Sequence, residues 1–358
     1  MRNYFVTGVS GSGRIEMLRD LTEELANRNV SARVFDIGEL MGTAAKKIGA
    51  PVSDQKFLDM DPCLLNAVFN LALDDVRLSL LAEPVDLNFI GIHATFRWRQ
   101  RIVCGAAYRS LTDFEVAGFI NVVDDISRIK TSNDANPKWR DCTPPDWSET
   151  NAWMMEEEYA TQILADVLDV PFLVVGRRHK VANLADLFAT DKPRIYLSYP
   201  ITAIRAQDDP TLLRTIEDEV VPELSEHYVV FDPLVIKDLA NLKKRLDDKV
   251  GLPERIEDLR VPTKVSEITE AEATQVKERT IERDFQFIDQ SNAVVVIYMT
   301  EKTSPGVLSE IIYAHGHDKP VYLVFPHARS PFLERYATGI FDSVDDLLEH
   351  LRQNPLHA

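Results

Sequence analysis

Ala293-Val294-Val295-Val296-Ile297-Tyr298, then Ser304-Pro305-Gly306-Val307-Leu308-Ser309-Glu310-Ile311-Ile312-Tyr313-Ala314, then Val321-Tyr322-Leu323-Val324-Phe325, decide how the second half of this chain folds. Two short β-branched runs flank a Pro-Gly turn and an amphipathic stretch. The segment therefore reads strand–helix–strand, the repeat of a parallel sheet with helices packed on it. The helix is expected over Val307–Gly316, with Glu310 in its first turn.

The same alternation extends upstream. Asp191-Lys192-Pro193 precedes a strand at Arg194–Ser198, and a second strand at Tyr228–Phe231 ends in Asp232-Pro233. A helix is expected over Glu278–Asp289 and a terminal one over Asp342–Arg352. The charge density of Lys237–Thr274 reads as a solvated helical insertion, with a lid as the alternative. In the first half, strands are expected at Tyr4–Thr7, Ala32–Asp36, Asp86–Ile92, Gly118–Val123 and Phe172–Val175, with helices at Arg14–Arg28 and Glu156–Leu168. Thr131–Thr150, rich in Asn, Pro, Asp and Ser, reads as a loop.

At 358 residues the chain is long for one core. The expected fold is α/β, with two doubly wound parallel-sheet domains at 1–188 and 189–358. No run of eighteen apolar residues occurs, so neither a membrane span nor a signal peptide is expected. Cys63, Cys104 and Cys142 lie far apart without a CxxC pair, which fits a reducing cytoplasm and gives no metal site. A formal charge of −17 disfavours bulk nucleic acid as partner. Small phosphorylated ligands remain open to it, because one pocket can be positive on an acidic protein.

Gly8-Val9-Ser10-Gly11-Ser12-Gly13-Arg14-Ile15 follows a strand and opens a helix, where backbone N–H groups can hold phosphate. The glycine spacing is that of GxxxxGK[ST], but Arg14 stands at the lysine and Ile15 at the magnesium-binding hydroxyl. Phosphate binding through Gly8, Gly11, Ser12, Gly13 and Arg14 is thus expected without phosphoryl transfer. With Asn88-Phe89-Ile90-Gly91-Ile92-His93-Ala94-Thr95, this loop resembles the archaeal-type adenylate kinases and related P-loop nucleotide kinases. The resemblance implies ATP or another nucleotide as an optional ligand. His93 reads equally as a satisfied core histidine, and the whole half as a scaffold.

In the second half, ligands of an open α/β sheet sit at the carboxyl ends of the strands. Tyr196, Glu310 and the Ser304–Gly306 turn are expected at that edge, with Ser198, Ser304 and Gly306 towards substrate and Asp284 on the preceding helix. Two carboxylates suit a glycosidic bond: one traps the cationic sugar carbon and the other protonates the leaving group. Glu310 would attack, Asp284 would protonate the base, and the Tyr196 hydroxyl would orient Glu310. The helix N-terminus would keep Glu310 ionised. Each residue has a plainer reading, Glu310 as a helix-start glutamate and Asp284 as a surface charge. Asp289, His315 and His317 read as helix-end groups.

Ser304-Pro305-Gly306-Val307-Leu308-Ser309-Glu310, together with Asp284, Tyr196 and Lys319-Pro320-Val321, resembles the nucleoside 2-deoxyribosyltransferase superfamily, which includes the 2'-deoxynucleoside 5'-monophosphate N-glycosidases. That resemblance implies a flavodoxin- or Rossmann-like domain, no cofactor for bond cleavage, and a homo-oligomer. It also implies Glu310, Asp284 and Tyr196 as catalytic residues. The serine at 304, where free-nucleoside transferases carry aspartate, favours a 5'-phosphate over a free nucleoside. The loop Tyr199-Pro200-Ile201-Thr202-Ala203 departs from the glycine-rich loop of the hydrolases, and Arg205 is a candidate replacement cation or a solvent-facing side chain. Two other functions stay open: cleavage of the nicotinamide–ribose bond of NAD, and a nucleotide sensor without turnover.

Overall fold

A computed structural model describes residues 1–50, 52, 56–99, 101–139, 142–201, 211–236, 238 and 270–356. It divides into two compact units, Met1–Arg178 with Ile236–Arg279, and His179–Val235 with Thr280–Ala358. Both are α/β, each built on a five-stranded parallel sheet.

The first unit runs β1 (Arg2–Thr7), α1 (Arg14–Asn27), β2 (Ala32–Asp36), α2 (Ile37–Lys47), α3 (Pro62–Ala82) and β3 (Leu87–Gly91). An antiparallel hairpin follows, β4 (Thr95–Trp98) and β5 (Arg101–Cys104). Then come β6 (Val116–Val123), α4 (Ile126–Ala135), α5 (Trp147–Leu168) and β7 (Phe172–Gly176). The sheet order is β2-β3-β1-β6-β7, so β1 is central and the glycine loop leaves its carboxyl end.

Helices α2 and α3 carry start signals that apolar periodicity did not single out. Asp36 accepts from the N–H of Gly38 (2.9 Å), and Asp61 accepts from that of Cys63 (2.9 Å), with Pro62 opening α3. Thr131–Thr150 is not a single loop. Helix α4 runs through Ala135, and a capping box between Asp146 and Glu149 starts α5 at Trp147. The polar residues that suggested a loop are caps and buried hydrogen-bonding groups instead.

The second unit runs α6 (Val181–Ala189), β8 (Arg194–Ser198), α7 (Val221–His227), β9 (Val229–Phe231), α8 (Glu270–Asp289, entering from the first unit), β10 (Ala293–Ile297), α9 (Pro305–Gly316), β11 (Val321–Val324), β12 (Gly339–Phe341) and α10 (Val344–Gln353). The chain passes into this unit at His179, before α6, because α6 belongs to the edge strand β9. The Asn183 amide donates to the carbonyl of Val230 (2.9 Å) and accepts from its N–H (2.8 Å). Of the charged segment Lys237–Thr274, residue 238 and residues 270–274 are described, the latter opening α8. The rest, like Arg205, lies outside the described residues.

Strand order here is β12-β11-β10-β8-β9. The chain goes outward from β8 to β9, then returns to the far side of β8 for β10, β11 and β12. The direction of winding reverses between β8 and β10, and a crevice opens there outside the strand ends. Strand alternation sorts the side chains of β8. Ile195 and Leu197 join Val230, Val295 and Ile297 in a core closed by Leu224, Leu347 and Leu351. Tyr196 and Ser198 face the other way.

Candidate functional site

Tyr196 and Ser198, two residues apart on β8, point to one carboxyl group. The Tyr196 hydroxyl donates to Oε1 of Glu310 at 3.1 Å, and the Ser198 hydroxyl bonds Oε2. Both strand residues are wholly buried, while Glu310 keeps partial exposure. Asp284, on α8, is half-buried beside Arg283, whose Nη2 reaches Asp284 Oδ1 at 2.9 Å and whose Nε reaches it at 3.2 Å.

The electrostatics differ from the expectation. Helix α9 begins at Pro305, so Glu310 sits in its second turn, too far along for the terminal N–H groups to hold it ionised. Burial raises the Glu310 carboxyl to about 8, the nearby Asp284 adds to the rise, and the two hydroxyl donors oppose it. Asp284 is also raised by burial, against the pull of Arg283. The Tyr196 phenol is pushed well above its usual range by burial and by both carboxyls, so it stays a donor. Burial and the Asp284 charge thus favour the protonated form of Glu310 around neutrality.

That proton sets a testable stability slope. A carboxyl whose folded pKa is raised binds its proton more tightly folded than unfolded. Its contribution is complete below the unfolded value of 4.5 and is lost as pH rises to about 8. Glu310→Gln removes the slope and keeps a partner for both hydroxyls. Urea unfolding should show the variant gaining on the wild type, on the order of 2 kcal/mol, between pH 5 and about 9. Parallel curves across that range would show that Glu310 is not raised.

Ser304 caps α9, yet its side chain makes no capping hydrogen bond, and Pro305 at the first helical position has no N–H to satisfy. The turn is held from outside: the Tyr298 hydroxyl accepts from the Ser304 N–H (2.7 Å) and donates to the carbonyl of Lys302 (3.0 Å). Gly306 is exposed, and a β-carbon there would meet nothing within 4 Å. Ser198, expected towards substrate, bonds Glu310. Sequence reading missed Arg283 and also Asp232, which follows β9 and accepts from the Tyr199 hydroxyl at 2.8 Å. Burial raises Asp232, as does the charge of Glu217 and Asp284. Adjacency of Arg283 to Asp284, and the place of Asp232 just past the carboxyl end of a strand, were signals in plain view. Asp289 ends α8 and accepts from Tyr313 (2.9 Å), and His317 closes α9 against the Tyr313 carbonyl (2.8 Å).

In the first unit the loop after β1 has the backbone its glycines allow. Gly8 sits at φ 146°, Gly11 at φ 89° and Gly13 at φ 71°, all in the region that favours glycine. A β-carbon on Gly8 would lie 2.7 Å from the Val122 carbonyl oxygen. Arg14 is buried and turned back, donating from Nη1 to the Gly8 carbonyl at 2.9 Å. Beneath it, wholly buried Glu157 accepts from the N–H of Gly8 (3.2 Å), Ala94 (3.0 Å) and Thr95 (2.6 Å) and from the Thr95 hydroxyl (2.8 Å). Burial alone would raise Glu157; His93 and these donors outweigh it and hold the carboxyl below its usual range. His93 is not a satisfied core histidine. Its Nδ1 has no hydrogen bond, lying 3.7 Å from Glu157, and burial with the Arg14 charge pushes it down to about 3. Ser12 Oγ is buried and likewise without a partner.

Two shallow hollows, about 380 Å³ beside Asp166–Pro171 and about 260 Å³ between α7 and α10, include none of these groups. Comparison with protein-family models and with curated proteins gives no match. No helix among the described residues is long and apolar enough to cross a membrane.

Proposed function

We propose that the second unit is an N-glycosidase acting on a nucleoside 5'-monophosphate, with Glu310 as nucleophile and Asp284 as proton donor. The observation that carries this reading is the Glu310 carboxyl, gripped on both oxygens by Tyr196 and Ser198 at the switch point of the sheet, with a second carboxyl in electrostatic reach. The strand order 2-1-3-4-5 agrees with a flavodoxin-like deoxyribosyltransferase fold. The order 2-3-1-4-5 of the first sheet, its hairpin left aside, agrees with a P-loop kinase-like fold.

The chemistry balances within these residues. A Glu310 carboxylate oxygen bonds to the anomeric carbon while the carbon–nitrogen bond breaks, and its electron pair leaves with the base. Asp284 gives that base its proton. Water then loses a proton to Asp284, its oxygen bonds to the same carbon, and Glu310 is released. This needs Glu310 ionised and the proton on Asp284, so the proton that burial favours on Glu310 passes to Asp284 when substrate binds. The uncapped Ser304 hydroxyl and the Gly306 and Val307 N–H groups are donors suited to a 5'-phosphate. Under this reading the enzyme is a homo-oligomer, which ultracentrifugation tests directly.

Purified protein is incubated with deoxynucleoside monophosphates, nucleosides and NAD, and free base is followed by chromatography. Base from monophosphates alone supports the proposal. Nicotinamide from NAD, or no base from any of them, removes it. Tyr196→Phe takes away one donor to Glu310 and should lower kcat by about tenfold or more. It should also move the alkaline limb of the pH profile upward, since that donor favours the carboxylate.

A further inference from the structure

The glycine loop of the first unit has a cationic neighbour that its motif does not predict. Lys138, on the short turn Pro137–Trp139, reaches it from far along the chain and bonds the Ser10 hydroxyl through Nζ. Asn133, one turn earlier, donates to the Ser10 carbonyl at 2.9 Å and accepts from Trp139 Nε1 at 3.3 Å, which fixes the turn against the loop. The ammonium lies 5.5 Å from the ring centres of both Phe96 and Trp139, within the range at which an aromatic face attracts a cation. Among the described residues it forms no ion pair, and burial with the Arg14 charge, against the pull of Asp36, pushes it down to about 8.

Charge around the loop is unevenly spent. Arg14 is turned inward, bonded to Gly8 and electrostatically matched by Glu157, so it is not the cation that an incoming anion meets. Lys138 remains; Arg177 is shared with the exposed Asp20 carboxylate, 3.8 Å from its Nη2. The Arg177 side chain covers Gly13, its Nε 2.8 Å from where a β-carbon would stand. Ser12 Oγ, buried inside the loop, has no partner. Ile15, where a magnesium-binding hydroxyl would stand, is packed onto β3, its Cδ1 2.5 Å from a β-carbon position on Gly91.

We propose that this loop is a magnesium-independent polyphosphate site, with Lys138 supplying from a distant turn the ammonium that position 14 does not. The ligand class is the diphosphate or triphosphate chain, free or carried by a nucleotide. The site stands apart from the glycosidase reading and does not depend on it.

Calorimetric titration of the full chain with ATP, pyrophosphate and inorganic phosphate, in EDTA and again with magnesium, tests it. ATP should bind in EDTA, with an affinity that magnesium leaves essentially unchanged. Pyrophosphate binding as well marks the bare chain as sufficient, and ATP binding alone marks a nucleotide-borne chain. Inorganic phosphate should be the weakest of the three. Lys138→Met should weaken binding by about tenfold or more, and Lys138→Arg should recover most of it. Wild-type affinity in Lys138→Met, binding only with magnesium, or no binding by the wild type overturns the proposal. Should Lys138→Met melt unlike the wild type, Arg177→Met takes its place in the same titration: weaker binding supports the site, and wild-type affinity overturns it.

Discussion

Glu310→Ala is expected to abolish base release, with kcat down by about a thousandfold or more and the melting curve preserved. The side chain is only partly buried, and the space it leaves opens a way for water to the two hydroxyls it strands. Loss of fold is therefore not the expected outcome. What disappears is the oxygen that bonds the anomeric carbon. The wild-type pH profile is the companion measurement. If the carboxyl pair acts with one proton, base release should fall as pH rises through about 8, where that proton leaves. Substantial activity in Glu310→Ala, or a profile flat across pH 8, would take the pair out of the chemistry.

Much of this was legible in the chain because strand and helix periods are written in residue type. The alternation in Arg194–Ser198 put Tyr196 and Ser198 on one face, and the apolar run at Ala293–Ile297 marked the strand that the structure pairs with β8. The switch point came from the strand order, whereas the expectation of Glu310 at the carboxyl edge of the sheet followed from the sequence. The sign of its shift did not: helix α9 opens two residues earlier than its apolar stripe, so a glutamate expected in the first turn is in the second, and burial wins over the dipole. Helix α3 was missed because its polar start at Asp61-Pro62 follows an irregular stretch. Lys138 and Glu157 were invisible for another reason. Each meets the glycine loop across more than a hundred residues of chain, and no local pattern encodes such a meeting.

Glu157 is the residue whose loss should cost the fold most. It is a fully buried carboxylate in a low-dielectric interior, stable there because four donors and the Arg14 charge satisfy it. Glu157→Ala leaves three buried N–H groups and a hydroxyl without their acceptor, removes the negative charge that offsets Arg14, and opens a cavity between α5, β1 and the start of β4. The expected loss is on the order of 3–5 kcal/mol, read from the urea midpoint. Its pH dependence runs opposite to that of Glu310. A carboxyl held below its usual range contributes stability that is present above the unfolded value of 4.5 and lost as pH falls further. The wild type should therefore weaken on acidification below that value, while Glu157→Ala, or the milder Glu157→Gln, lacks this share of the loss. Equal urea midpoints for Glu157→Ala and the wild type at pH 7 would mean that the loop holds its shape without the carboxylate beneath it. The glycines alone would then set the conformation that places Ser10 against Lys138.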